Sequence, residues 1–263
     1  MIEPYFVEEI GTDGTARITL TRPELHNAFN DALISELTAV LRGLGSDERV
    51  HAVVLAAKGK SFSAGADLNW MKAMAGYSQE RNQADAEALA ELMFTLDRLG
   101  KPSIALVQGA AYGGGVGLVA CCDIAIAAER ATFSLSEVRL GLIPAVISPY
   151  VIAAMGARAA RRYMLTGERF SAWEAHRQGL VHEVVAQVDL ETTCRRILDE
   201  ILAGGPNAQR AAKGLIFDVD ARPIDAELRV ETARRIAALR TSAEGREGIS
   251  AFLDKRSPNW APK

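Results

Sequence analysis

The sequence predicts an α/β fold followed by a helical appendage, and three observations carry that reading. Short apolar runs that suit buried strands alternate with longer helical segments as far as about residue 135. Beyond Asp189 the pattern is helical to the end, with breaks at Gly204-Gly205-Pro206 and Arg222-Pro223. Between the two lies Ser103 to Asp123, SIALVQGAAYGGGVGLVACCD, which reads as a strand, a glycine turn and a buried helix.

In chain order, Tyr5–Ile10 and Ala16–Thr21 read as two strands joined by the turn Gly11-Thr12-Asp13-Gly14, a hairpin signal. Arg22-Pro23 ends the second strand. Asp31 is the candidate N-cap of an amphipathic helix from Ala32 to about Leu44, with Leu33, Leu37, Val40, Leu41 and Leu44 near helical spacing. Val50–Ala57 is almost wholly apolar, as expected of a strand inside a sheet covered on both faces. Lys58–Asp67 reads as a loop of small residues, Leu68–Ala75 as a short helix and Glu80–Leu99 as a long one ended by Lys101-Pro102. After the central segment, Asp123–Ala128 and Thr132–Leu135 are short strands. Ser148–Met155, Arg158–Leu165 and Ala172–Gln178 are helices, and Val181–Val185 is a last strand.

With 263 residues the chain can bury a sizeable core without disulfides or metals. A net charge of −3 gives no electrostatic case for nucleic acid or an anionic membrane. Cys121, Cys122 and Cys194 form no Cys-x-x-Cys pattern, so neither zinc nor a disulfide framework is indicated. The start, MIEPYFVEEI, has no basic region or long apolar run, and no segment is apolar enough to span a bilayer. The expectation is a soluble, cytoplasmic protein. The four histidines lack metal-like spacing and read as structural.

Three places have the residue types that chemistry needs. Gly113-Gly114-Gly115 opens a buried helix, whose first turn carries N–H groups without intrahelical partners and a positive dipole end. The glycines let a ligand approach the backbone, although they also serve tight strand–helix packing. They do not form a nucleotide fingerprint. Ser63–Leu68 is a small-residue loop after an inner strand, in which Asp67 also suits a helix N-cap. Two such loops could aim two N–H donors at one developing oxyanion. Glu137, among Leu135, Val138 and Leu140, is a carboxylate that could move a proton, or a salt-bridged surface glutamate. No Gly-x-Ser-x-Gly elbow supports serine hydrolysis.

Taken together and in order, Arg22-Pro23 with Asn27-Ala28, Phe62–Leu68, Gly113–Gly115, Cys122-Asp123-Ile124, Ser136-Glu137, Leu140–Pro144 and Ala251–Arg256 resemble the crotonase family of enoyl-CoA hydratases and isomerases, over nearly the whole chain. The resemblance implies a spiral of ββα units over residues 1–200 and a helical trimerisation region over 201–263. It implies a homotrimer or a dimer of trimers. Coenzyme A would enter as part of an acyl-CoA substrate, with no permanently bound cofactor and no metal.

By the same resemblance, Ala66 and Gly114 supply the N–H donors for the thioester oxygen. Ala64, Ala66, Asp67 and Leu68 line the coenzyme A loop. Phe252 and Lys255 reach coenzyme A on a neighbouring subunit. Glu137 matches the second of two catalytic glutamates, but the position of the first holds Gly117. Gly117-Leu118-Val119, Cys121–Asp123 and Leu142–Pro149 look like the methylglutaconyl-CoA hydratases and the similar carboxygeranoyl-CoA hydratases. Arg139 is the candidate to meet a distal carboxylate. The first expectation is a hydratase and the second a Δ3,Δ2-enoyl-CoA isomerase. The third, a non-catalytic CoA-thioester or RNA-binding member of the fold, is disfavoured by the acidic balance and by Glu137.

Overall fold

The computed structural model describes residues 4–261, so the Met1–Glu3 start of the segment read for a targeting signal lies outside it. Two strands, β1 (Phe6–Ile10) and β2 (Thr15–Leu20), pair antiparallel across the Gly11–Gly14 turn. Helix α1 (Asp31–Ser46) follows. Its cap is Asn30 rather than Asp31: Asn30 has extended backbone and its Oδ1 accepts from the Leu33 N–H at 2.9 Å, while the Asp31 carboxylate reaches only the N–H of Ala32.

A repeating unit then begins. Strands β3 (Ala52–Ala57) and β4 (Ser61–Ser63) lead into helices α2 (Leu68–Met74) and α3 (Gln79–Asp97). Strands β5 (Ser103–Val107) and β6 (Ala110–Tyr112) lead into α4 (Gly114–Cys121). Strands β7 (Ile124–Ala128) and β8 (Thr132–Ser134) lead into a 3₁₀ turn, Ser136–Leu140, and α5 (Ser148–Thr166). Strand β9 (Arg169–Ser171), α6 (Ala172–Arg177), β10 (Glu183–Val185) and α7 (Leu190–Ala203) complete the body. The tail is α8 (Pro206–Val219), α9 (Ala226–Thr241) and α10 (Ala243–Leu253).

The first strand of each unit enters a six-stranded sheet, ordered β1-β2-β3-β5-β7-β10, and the second enters a four-stranded sheet, β4-β6-β8-β9. From β2 onward the larger sheet is parallel; β4, β6 and β8 are parallel to each other and β9 is antiparallel. This is the spiral of ββα units that the resemblance implies. Strands β4 and β6 correct the expectation of a loop at 58–67 and of a bare turn after Val107. Each is three residues long, too short to show alternation, and each exists because the other lies beside it.

Alternation along β3 explains its apolar run. Val53 and Leu55 face the main core, while Ala52, Val54 and Ala56 face a second core closed by Leu190, Cys194 and Leu198 of α7. Burial pushes the Cys122 thiol up to about 12 and the Cys194 thiol up to about 11, so both stay protonated core groups. Helix α5 is broken at Gly156 (φ 74°), between the two helices expected there.

Candidate active site

The loop after β4 is held by strand-like pairing to Phe29. The Phe29 N–H donates to the Gly65 carbonyl and the Asp67 N–H donates to the Phe29 carbonyl, both at 2.7 Å. Hydrogen bonding alternates along an extended chain, so Ala66, between those two residues, turns its own N–H away from Phe29. That N–H meets no acceptor among the described residues. The Ser63 hydroxyl pins the loop from below by donating to the Asn27 carbonyl and accepting from the Gly65 N–H.

The second loop lies against the first. Gly65 has φ 86°, and a methyl there would stand 3.0 Å from the Tyr112 carbonyl oxygen and 3.7 Å from the Gly114 nitrogen. Gly113 (φ 50°) turns the chain from β6 into α4, with its N–H given to the Ser134 carbonyl. Gly114 is the first residue of α4, and its N–H also lacks an acceptor among the described residues. Its missing side chain has a packing cause: a Cβ would stand 2.7 Å from the Phe29 ring.

Glu137 sits on the 3₁₀ turn after β8, half-buried, with Oε1 only 3.2 Å from where a Gly113 Cβ would be. Its Oε2 is buried without a partner among the described residues. Burial raises the carboxyl above the usual glutamate range, partly offset by a bond from its own backbone N–H. A carboxylate with an open lone pair and a raised pKa is a stronger base than an ordinary glutamate and can take up and return a proton.

One turn further along α4 the surroundings change. A Cβ on Gly117 would overlap Ile147 Cγ2 and lie 3.0 Å from Ile147 Cβ and 3.2 Å from Met93 Cε. The place where a second carboxylate would be rooted is filled by apolar side chains. Phe29, Met93 and Ile147 were not singled out by sequence. Only the departure of Leu142–Pro149 from the expected glycine-rich run pointed toward Ile147.

The other candidates lie as follows. Asp67 is buried and caps α2, its Oδ1 accepting from the N–H groups of Asn69 and Trp70 at 2.8 and 3.2 Å. Ala64 is half-buried, its N–H donated to the His26 carbonyl, and Leu68 is exposed at the start of α2. Phe252, 83% exposed, and Lys255, in left-handed backbone (φ 55°), lie at the end of α10. Arg139 is exposed and packs at Gly167, near the start of β9. Three histidines bond within the fold: His26 to the Ser61 hydroxyl, His176 to the Val181 carbonyl, and His182 through Nδ1 accepting from the Ala125 N–H.

Two free backbone donors and one half-buried carboxylate, gathered where parallel strands end, suit an enzyme that polarises a carbonyl while moving a proton. The chain belongs to the enoyl-CoA hydratase/isomerase family, whose profile matches residues 11–263. The fold is that of solved relatives. An enoyl-CoA hydratase from Shewanella pealeana is 48% identical, with 98% of this chain and 96% of that one covered and a TM-score of 0.94. Pseudomonas aeruginosa AtuE is 37% identical, with 98% and 100% covered and a TM-score of 0.94. The enoyl-CoA hydratase ACTT6 of Alternaria alternata is 36% identical over 207 residues, which are 77% of this chain and 66% of that relative. Among the described residues no helix is long and apolar enough to cross a membrane.

Proposed function

We propose that this protein adds water to an α,β-unsaturated acyl-CoA thioester of the methylglutaconyl type. The observation that carries the reading is the Glu137 carboxylate, with its unpartnered Oε2, beside the free N–H of Gly114 and the Ala66 loop. In this reading the N–H groups of Ala66 and Gly114 bind the thioester oxygen and hold the enolate-like charge that develops during addition. Glu137 is ionised at the start. It takes a proton from water as oxygen attacks the β-carbon and returns a proton to the α-carbon. The departures at Gly117 and along Leu142–Pro149 support the methylglutaconyl class.

Ala64, Asp67 and Leu68 shape the coenzyme A loop, Asp67 by capping α2. Phe252 and Lys255 complete the coenzyme A site of a neighbouring subunit in a cytoplasmic homotrimer or dimer of trimers. Support for assembly comes from the tail, which leaves Ile216, Val230, Ile236, Ile249 and Phe252 exposed. Coenzyme A arrives with the substrate and no other cofactor takes part.

A second reading has its own observation. The apolar surroundings of Gly117 leave Glu137 as the carboxylate of this site, and one carboxylate suffices to carry a proton between two carbons. A Δ3,Δ2-enoyl-CoA isomerase would use the same residues. Mass analysis separates the two, since hydration adds one water and isomerisation adds nothing.

Glu137→Gln is expected to lose on the order of 10²–10⁴ in turnover with coenzyme A binding kept. The wild-type rate should fall on the acid side with a midpoint above the usual glutamate range. The stability effect has the opposite sense. A carboxyl whose pKa is raised by folding stabilises less as pH rises from its unfolded to its folded pKa. Glu137→Gln should therefore melt higher than wild type at neutral pH, the difference closing in acid. Near wild-type turnover by Glu137→Gln would remove Glu137 from the mechanism.

A further inference from the structure

We infer that Ile147, interlocked with Gly117, is a specificity-determining residue that closes the floor of the acyl pocket and selects against long straight acyl chains. The inference rests on the acyl-thioester reading of Glu137 and deepens it.

Gly113 caps α4 and Gly117 lies one turn on, its N–H donated to the Gly113 carbonyl at 3.3 Å, so the two line one side of that helix end, about 6 Å apart. Glu137 Oε1 lies over the first and Ile147 over the second. The reacting carbons must come within reach of Glu137, so the part of the acyl group that continues along this face runs toward Ile147. There it meets a wall, Ile147, with the fully buried Met93 packed behind at Gly117. The wall offers a hydrogen bond to nothing and leaves no room for a side chain at 117.

Ile147 cannot swing aside easily. It is 3% exposed and stands at the N-terminal cap of α5, where its carbonyl accepts from the Val151 N–H at 3.1 Å. Pro149, in the first turn of α5, stiffens the backbone just after it. Interiors transmit strain rather than yielding to it, so a chain pressing on Ile147 pays in binding. Acyl groups that are short, or that branch at the β-carbon and turn off the α4 face, avoid the wall.

Two measurements test this on the intact protein. The first compares wild type, Ile147→Val and Ile147→Ala for affinity toward butyryl-CoA and decanoyl-CoA by calorimetry, and for kcat/KM on crotonyl-CoA and decenoyl-CoA. A methylene's worth of pocket changes discrimination by roughly 10-fold or more. The preference for the short chain should therefore drop by about tenfold in Ile147→Ala and by less in Ile147→Val. Chain-length preference unchanged in both variants, with thioesters still bound, overturns the inference and leaves the proposed function standing. Wild type binding no CoA ester overturns both.

The second measurement reads the interlock without substrate. Gly117→Ala should lower the melting temperature more in wild type than in an Ile147→Ala background, because the overlap with Ile147 Cγ2 is then gone and only the tight contacts at 3.0 Å to the residue-147 Cβ and 3.2 Å to Met93 Cε remain. Equal losses in both backgrounds would show that the two residues are not interlocked. Should Ile147→Ala fold poorly, Ile147→Val carries the first measurement with a smaller shift, and Ile147→Leu, which has no methyl on Cβ, carries the second.

Discussion

The body of the molecule, through α7, and the tail, α8 to α10, treat their apolar residues in opposite ways. In the body, β5 is buried along its whole length and two cores cover both faces of the larger sheet. In the tail, α8 has no buried residue, and α9 and α10 bury only Leu228 and Ala251. Ion pairs such as Arg222–Glu231, Arg235–Asp218 and Arg256–Glu247 tie the tail to itself. The body closes its own core and can place backbone atoms accurately. The tail presents apolar faces outward and is fastened to the body by a few polar contacts. The difference teaches that the two donors proposed to be catalytic belong to the body, and it supports the proposal that the tail acts on a neighbouring subunit.

The largest expected effect strikes the body. Any side chain at 114 would collide with Phe29, so a conventional substitution confuses donation with crowding. Replacing Gly114 by glycolic acid exchanges its N–H for an ester oxygen and adds no bulk. Turnover should fall on the order of 10²–10³ with the melting temperature little changed. Full turnover by the ester protein would break the claim that the body supplies this donor.

A smaller effect is expected where body and tail meet. Asp123 Oδ2 accepts from the Ser103 N–H, the Ser103 hydroxyl and Lys213 Nζ of α8, each at 2.8 Å. Lys213→Met keeps the buried stem and removes the charge from a mostly buried pair. It should cost about 1–2 kcal/mol, read by urea unfolding, because Asp123 keeps its two bonds from Ser103. No loss would mean that this pair does not help to fasten the tail, leaving that to contacts such as Gln209 Nε2 with the Ile201 carbonyl and Arg98 over the Phe217 ring.

The smallest effect sharpens the comparison at the far end of the tail. Lys255→Ala should weaken coenzyme A ester binding by roughly twofold to fivefold at low salt, and less as salt screens the charge. Affinity that is unchanged at low salt would take Lys255 out of the site.

What could be read from the residues follows from the range of the forces involved. The hairpin at Gly11–Gly14, the buried β3 and β5, the break near Gly156 and the helical tail rest on local propensity and periodicity, which a single stretch displays. Glu137 was legible as a candidate through its apolar neighbours, and Ala66 and Gly114 through small-residue loops after strands together with the ordered motifs. The Asn30 cap was misplaced by one residue, because Asn and Asp compete for the same role and only the backbone angles decide between them.

Tertiary structure alone decided the rest. Three-residue strands such as β4 and β6 exist through pairing with partners some fifty residues away, as at Ser61 with Ala110. Whether the Asp67 carboxylate faces a ligand or a helix end was settled by the N–H groups of Asn69 and Trp70. Gly117 on its own says only that a side chain is missing. That its space is taken by Ile147 and Met93, from two other segments, is a fact of packing between elements distant in sequence. Propensities are local and survive in the sequence as pattern. Close packing is a relation among distant residues, and it becomes visible only when the chain has brought them together.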